Sequence, residues 1–269
     1  SRAIRWKMLL KPLGYNPGTW NAFYAIMVGY MANLAFPRLG EITKCALLNR
    51  YENIPVHQSI GTIFVDRIMD LVTLAILLSI VIVTQFDLLY QFTEERLLRP
   101  LFKSLINVVP EGYGIVVGLL GTAITFAIFY FLLRKFKDSS LIAKIKKLAK
   151  EFVKGLITIK ELDRPFLFLF HSLFIWVMYF MMTYVAFQCL EVTSDLGIAA
   201  GMAVLVFGTF AFIVVQGGIG AYPVAVMEIL VFYGIPATVG FAFGWIIWGA
   251  QTVLILVLGV FSLAMLPLT

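Results

Sequence analysis

The sequence N-L-A-F-P-R-L-G-E-I-T-K at residues 33–44, followed by D-R-I-M-D at residues 66–70, decides how the rest of the chain can fold. In the first motif, Pro37 and Gly40 interrupt an apolar segment and bring charged side chains to the break. The second motif places three charged side chains in an apolar run long enough to cross a membrane. A charge near the centre of a membrane helix costs about 2.5–3.5 kcal/mol on insertion scales, so such residues are usually paired and often functional.

The composition is that of a membrane protein. Of the 269 residues, 61% are hydrophobic and 13% are charged, whereas about 25% are charged in a typical soluble domain. Several apolar runs reach the length of a transmembrane helix and lack the alternation of a transmembrane β-strand. Because helices satisfy their own backbone hydrogen bonds in lipid, we predict an all-α polytopic membrane protein, a single transmembrane domain over residues 1–269, with about five full spans plus two re-entrant helical hairpins.

Positive charge is confined to the first part of the chain. All 21 Lys and Arg residues precede Pro165, and the segment 137–164 is basic and amphipathic. Such segments lie at membrane surfaces that carry anionic lipids, and basic loops stay on the cytoplasmic side. We therefore expect 137–164 at the cytoplasmic face, and membrane lipids rather than nucleic acid as partners.

This orientation constrains the preceding residues. Residues 1–11 are also basic, so they should be cytoplasmic as well. That is possible only if residues 17–54 enter and leave the membrane on the same side, as a re-entrant hairpin. The predicted hinge residues are Asn33, Pro37 and Gly40.

A second interruption, Q-G-G-I-G at residues 216–220, predicts a second re-entrant hairpin at 195–234, entering from the opposite side. Paired Gly- or Pro-interrupted segments point to the substrate site in transporters built from inverted repeats. The paired breaks allow such a repeat here, although the two halves share no residue-level similarity. Full spans are predicted at residues 56–86, 112–136, 166–190 and 238–266.

The candidate site residues surround these two interruptions. Arg38, Glu41 and Lys44 can share one helical face. The planar guanidinium of Arg38 can bind a phosphate through paired hydrogen bonds, and the Glu41 carboxylate can bind a cationic headgroup. The alternative is an ion pair that fixes the hairpin. Asp66 and Asp70 share a face of their helix, where they either join a salt bridge to the hairpin or line a polar path. The predicted lipid-headgroup or substrate-binding residues are Arg38, Glu41, Lys44, Asp66, Arg67, Asp70, Gln216, Gly217, Gly218 and Gly220.

No catalytic constellation is visible in the sequence. There is no phosphate-binding loop and no His or Cys at metal-ligand spacing, so we predict no cofactor, no metal and no enzymatic activity. Cys45 and Cys189 lie in apolar contexts and are expected to pack in the interior.

The combination N-x-x-x-P-R-x-G-E-x-x-K and D-R-x-x-D resembles the membrane region of lysylphosphatidylglycerol synthases and the related flippase-like proteins. Q-G-G-I-G resembles the later P-G-G-x-G element of that family, with Gln216 where Pro is common and Asp66 where Glu is usual. The resemblance implies a bacterial-type inner-membrane protein that moves a phospholipid or other modified lipid between leaflets. It also implies a chain truncated at its N-terminus and lacking the soluble transferase domain of bifunctional members.

Two other functions remain open at this point. The protein could be a membrane scaffold that presents substrate to a lipid-modifying enzyme, with the basic segment 137–164 as the contact surface. It could also be a small-solute transporter, which would need a water-accessible pore.

Overall fold

The computed structural model describes residues 1–36, 38–86, 90 and 162–268. The eight α-helices in this part are α1 (Arg2–Leu10), α2 (Thr19–Ala35), α3 (Leu39–Glu52), α4 (Val56–Thr84), α5 (Pro165–Ala186), α6 (Ile198–Val214), α7 (Ala221–Phe232) and α8 (Ala237–Met265). No strand occurs among these residues, which confirms the all-α membrane class. Pro37, the predicted span 112–136 and most of the segment 137–164 lie outside the described residues.

The chain divides into two compact units. The first consists of Ser1–Thr84 and Gly155–Thr269, and it contains all eight of these helices. The second, Gln85–Lys154, lies almost entirely outside the described ranges.

Three helical segments of the described part are long and apolar enough to cross a membrane: Val56–Thr84, Pro165–Cys189 and Ala237–Leu268. The helices at the two interruptions are shorter, with 17 residues in α2, 14 in α3, 17 in α6 and 12 in α7. At about 1.5 Å per residue, none of these four reaches the roughly 30 Å of a hydrocarbon core. Their lengths suit segments that enter a membrane without crossing it, and the two re-entrant hairpins remain a prediction.

Glycine allows α2 and α3 to pack closely as a helical pair. A Cβ on Gly29 would lie 2.9 Å from the Gly40 carbonyl oxygen, and a Cβ on Gly40 would overlap the Gly29 carbonyl oxygen. The Gly40 amide donates to Asn33 Oδ1 at 2.7 Å, so a side chain of α2 satisfies one of the free N–H groups at the start of α3. Asn33 and Gly40 thus fix the angle of the hairpin at its hinge.

We expect Gly40→Ala to destabilise the protein by about 1–3 kcal/mol, because backbone atoms of α2 cannot rotate away from the new methyl group. Gly61→Ala is the matched control, since a Cβ there meets nothing within 4 Å. Replacing that helical glycine should be neutral or stabilising, by up to about 1 kcal/mol. Denaturant unfolding of both variants in the same detergent checks the prediction. Equal stability of the two would show that the α2–α3 contact is looser than the structure indicates.

The second interruption is built from aromatic packing as well as glycine. The rings of Phe212 on α6 and Tyr222 on α7 lie 5.0 Å apart, and Gly208 leaves room for the Tyr222 ring. Trp248 on α8 donates its indole N–H to the Gly217 carbonyl oxygen at 2.7 Å. Irregular backbone at membrane depth requires such partners. Helix α2 contacts the turn Gln216–Gly218, so the first hairpin touches the break of the second.

Candidate functional site

A fully buried arginine lies at the centre of the candidate site. Arg5 on α1 has no exposed side-chain surface. Its Nη2 atom lies 2.6 Å from Asp66 Oδ1 and 2.8 Å from Asp70 Oδ1, and its Nη1 atom donates to Ser172 Oγ at 3.3 Å. The i,i+4 spacing of the two aspartates places both carboxylates on the face of α4 that meets α1. One guanidinium therefore links α1, α4 and α5.

A second arginine, one turn earlier on α1, contacts the same carboxylates. Arg2 Nη2 lies 3.1 Å from Asp70 Oδ2, and Nη1 lies 3.7 Å from Asp66 Oδ2. Arg2 Nε donates to the Tyr179 hydroxyl at 3.0 Å. The Arg2 side chain remains 19% exposed, whereas Arg5 is enclosed. We call Arg2, Arg5, Asp66 and Asp70 the arginine–aspartate cluster.

The two aspartates of the cluster lie on α4, a helix that is long and apolar enough to cross a membrane. Asp66 and Asp70 follow Val56, the first residue of α4, by ten and fourteen positions, which is about 15 and 21 Å along the axis. Ile60 and Phe64, which precede both aspartates on α4, are exposed apolar side chains, so the lipid-facing surface of α4 begins before the cluster. Pairing with Arg2 and Arg5 offsets the cost of burying the two carboxylates.

A separate ion pair connects the first hairpin to α4. Arg67 Nη2 lies 2.5 Å from Glu41 Oε1, and Asn33 Nδ2 donates to the other Glu41 oxygen at 3.5 Å. The Arg67 side chain is 43% exposed and that of Glu41 is 29% exposed. This is the salt bridge between helix and hairpin that was one of the two interpretations of these residues. The shortest contacts of Asp66 and Asp70 instead come from α1, and Arg67 Nη1 also lies 4.0 Å from Asp70 Oδ2.

Lys44 is buried without a carboxylate partner among the described residues. The residue is only 8% exposed, and its Nζ atom lies 5.1 Å from the centre of the Trp6 ring. The Trp6 indole N–H donates to Thr62 Oγ1 at 2.9 Å, which fixes the ring on which the ammonium packs. Among the described residues, the carboxylates near these cationic side chains, Arg2, Arg5, Lys44 and Arg67, are those of Glu41, Asp66 and Asp70. These seven groups together carry one excess positive charge.

The other predicted site residues lie apart from the cluster. Arg38 is exposed, has a left-handed backbone conformation with φ of 64°, and forms no ion pair with any residue that the structure describes. Gln216 is also exposed. Positive φ values of 75°, 67° and 74° at Gly217, Gly218 and Gly220 show that these glycines shape the second break.

An apolar groove of about 370 Å³ adjoins the cluster. Its walls come from α1, α2, α5 and α8, and most of the lining side chains are aliphatic, aromatic or methionine. Its polar side chains are those of Ser1, Arg2, Tyr30, Tyr179 and Gln251. Arg2 is the one member of the cluster that reaches this groove. Neither Arg38 nor the glycines of the second break line it.

Arg2, Arg5, Tyr30 and Tyr179 were not among the residues predicted from sequence. The signal was present for the arginines, because R-x-x-R in residues 2–5 has the spacing that places both on one helical face. The basic residues 1–11 were interpreted as a cytoplasmic segment, so a buried role for these arginines was not predicted. No group of three or more potential metal ligands occurs in the described part of the chain.

Comparisons with known proteins agree with a membrane role. The family model for the lysylphosphatidylglycerol synthase TM region matches residues 1–259. The glycosyltransferase AglD of Haloferax volcanii is 32% identical over 83 residues, which are 30% of this chain and 13% of that protein. UPF0104 membrane protein MJ1595 of Methanocaldococcus jannaschii is 31% identical over 71 residues, which are 25% of this chain and 21% of that protein. The similar stretches therefore span less than a quarter of either relative. No solved structure matches the chain.

Proposed function

Because the chain belongs to the lysylphosphatidylglycerol synthase TM-region family, we propose that it is a flippase-like protein that moves a phospholipid or other modified lipid between the leaflets of a bacterial-type inner membrane. One observation carries this proposal. The apolar groove meets the arginine–aspartate cluster at Arg2, so an apolar surface and a cationic group share one cavity.

This combination matches the two parts of a lipid. Apolar walls such as those formed by Ile26, Met178 and Leu254 suit an acyl chain. An acyl chain that enters the groove from the bilayer moves from one apolar environment to another. A headgroup that leaves water loses its hydrogen bonds and needs replacements. The Arg2 guanidinium and the hydroxyls of Tyr30 and Tyr179 offer donors at the same groove.

The charge balance favours an anionic group on the lipid. The excess positive charge around the cluster would be neutralised by one phosphate, and guanidinium groups bind phosphate through paired hydrogen bonds. In this proposal Arg5 holds the two aspartates in place. Arg2, which is partly exposed, exchanges some of its contacts with Asp70 for contacts with the phosphate.

The Glu41–Arg67 ion pair is the contact that can open during transport. Both side chains are partly exposed, so this pair is less enclosed than the contacts of Arg5. Separation of this pair would remove the salt bridge between the α2–α3 hairpin and α4. The enclosed Arg5 contacts would persist through such a movement.

Blocking the groove tests the proposal. We expect Ile255→Trp, in the groove wall, to slow leaflet transfer of a fluorescent phospholipid in reconstituted vesicles by at least about tenfold, because the indole fills the space for an acyl chain. Val257→Trp is the matched control, since Val257 lies on the same helix, is exposed and does not line the groove. Equal transfer by both variants, or no transfer above protein-free vesicles by the unmodified chain, would contradict the proposal. A trapped water-soluble dye reports leakage in the same vesicles.

A second candidate function is a membrane subunit that presents lipid to a partner lipid-modifying enzyme. In its favour, the similar relative AglD is named a glycosyltransferase, and the stretch similar to this chain covers only 13% of that protein. Under this alternative, the purified chain binds lipid in the groove but moves none between leaflets. The vesicle experiment therefore separates the two functions.

A further inference from the structure

A second cavity, of about 270 Å³, lies on a different face of α1 from the arginine–aspartate cluster. It forms where Lys7 and Lys11 meet the residues just before α5, and Asp163 and Arg164 also line it. Apolar side chains, among them Ile4, form its walls. None of the residues around this cavity belongs to the cluster or to the apolar groove.

The charged groups of this cavity do not balance. Lys11 Nζ lies 2.7 Å from Asp163 Oδ2, and the hydrogen bond from Lys11 holds the pKa of the Asp163 carboxyl below its ordinary value. Asp163 therefore stays ionised at neutral pH and compensates Lys11. Lys7 donates to the neutral Thr19 hydroxyl, at 2.9 Å. Arg164 forms no ion pair with the residues that the structure describes, although its charge also acts on Asp163. Among the described residues that line the cavity, three cationic side chains, Lys7, Lys11 and Arg164, therefore accompany the single carboxylate of Asp163.

The cavity is positioned at the boundary of a membrane-spanning helix. Arg164 directly precedes Pro165, the first residue of a segment long and apolar enough to cross a membrane. Lys11, Asp163 and Arg164 are exposed, whereas Leu162 beside them is buried. Charged side chains at the end of an apolar helix lie at the level of the lipid headgroups. The cavity thus combines cationic groups with apolar walls at the depth where a phospholipid has its phosphate and glycerol.

We infer that this cavity binds the headgroup of an anionic phospholipid as a resident lipid, distinct from a lipid that is transported. The phosphate lies between Lys7 and Arg164, and the glycerol and first acyl carbons contact Ile4, Met8 and Leu167. A lipid bound there would link the C-terminal end of α1 to the start of α5. Because α1 carries both arginines of the cluster, such a lipid would stabilise the position of the cluster.

Retention of lipid by the purified chain tests this inference. The chain is reconstituted with equal amounts of phosphatidylglycerol and phosphatidylcholine, re-extracted in mild detergent and examined by native mass spectrometry. We expect phosphatidylglycerol to be retained preferentially, and we expect Lys7→Gln and Arg164→Gln each to reduce that retention about fivefold, because one basic residue near anionic headgroups contributes about 1 kcal/mol. Arg50→Gln, which removes an exposed positive charge from α3, should retain as much as the unmodified chain.

Photo-crosslinking with a headgroup-labelled phosphatidylglycerol then locates the site. Crosslinks to peptides containing Lys7 or Arg164 support the inference, including in Ile255→Trp, whose groove is blocked. Equal retention of the two lipids, equal loss in Arg50→Gln, or crosslinks spread evenly over the lipid-facing helices would overturn it. Displacement of the lipid by inorganic phosphate would also overturn it, since the occupant would then be a free anion. None of these outcomes depends on whether the chain moves lipid between leaflets.

Discussion

Arg5→Met is expected to lower the free energy of unfolding by about 3–5 kcal/mol, the range for removing one partner of a buried charge pair. The substitution removes the only fully enclosed partner of the Asp66 and Asp70 carboxylates in the described structure. Methionine retains the apolar stem of the side chain but not the guanidinium, so the measured loss also includes the enclosed space that this group leaves empty. The change is to be measured by denaturant unfolding in one detergent, with helix content followed by circular dichroism.

Two further variants separate unpaired charge from other causes. Arg50→Met removes an exposed arginine and should change stability by less than about 0.5 kcal/mol. The triple variant Arg5→Met, Asp66→Asn, Asp70→Asn should recover part of the loss, because it removes the uncompensated carboxylates together with the arginine. If Arg5→Met were as stable as the unmodified chain, the aspartates would have other partners, and the assignment of the cluster as the link between α1, α4 and α5 would fail.

Arg2→Gln is expected to slow leaflet transfer of a phospholipid by about tenfold or more, the effect of losing a hydrogen bond to a charged group. Arg2 is the cluster member that lines the apolar groove and keeps part of its side chain exposed. Its removal leaves Arg5 in contact with both aspartates, so the loss of stability should be smaller than for Arg5→Met. Tyr179→Phe, which removes the hydroxyl that accepts from Arg2 Nε, should have a weaker effect on transfer.

The transfer assay also decides between two positions for the headgroup. Arg50→Gln is the control for loss of one positive charge. Arg38→Gln tests the site predicted from sequence, where Arg38 is next to the first break. A defect in Arg38→Gln with normal transfer by Arg2→Gln would move the headgroup site from the groove to that break. A defect in Arg2→Gln alone would support the groove.

Periodicity and charge spacing accounted for part of the site. The shared face of Asp66 and Asp70 follows from helical periodicity, because residues one turn apart lie on one side of a helix. The Glu41–Arg67 contact is the salt bridge that was one of two interpretations open from the sequence. The roles of Arg2 and Arg5 did not follow. A short basic segment is usually an interfacial one, and only its docking between α4 and α5 shows that it carries buried charge.

The sequence by itself determined the membrane class, the family motifs and the positions of the breaks, since these depend on composition and on the backbone limits of Gly and Pro. The tertiary structure decided which charges meet. Asp66 and Asp70 lie more than 60 residues from Arg2 and Arg5 in the chain, and no local rule selects among the many cations that could pair with them. The apolar groove likewise exists only because α5 and α8, which are distant in sequence from α1 and α2, pack so as to leave a space beside Arg2. Packing between distant segments sets both features, and local sequence patterns do not encode it.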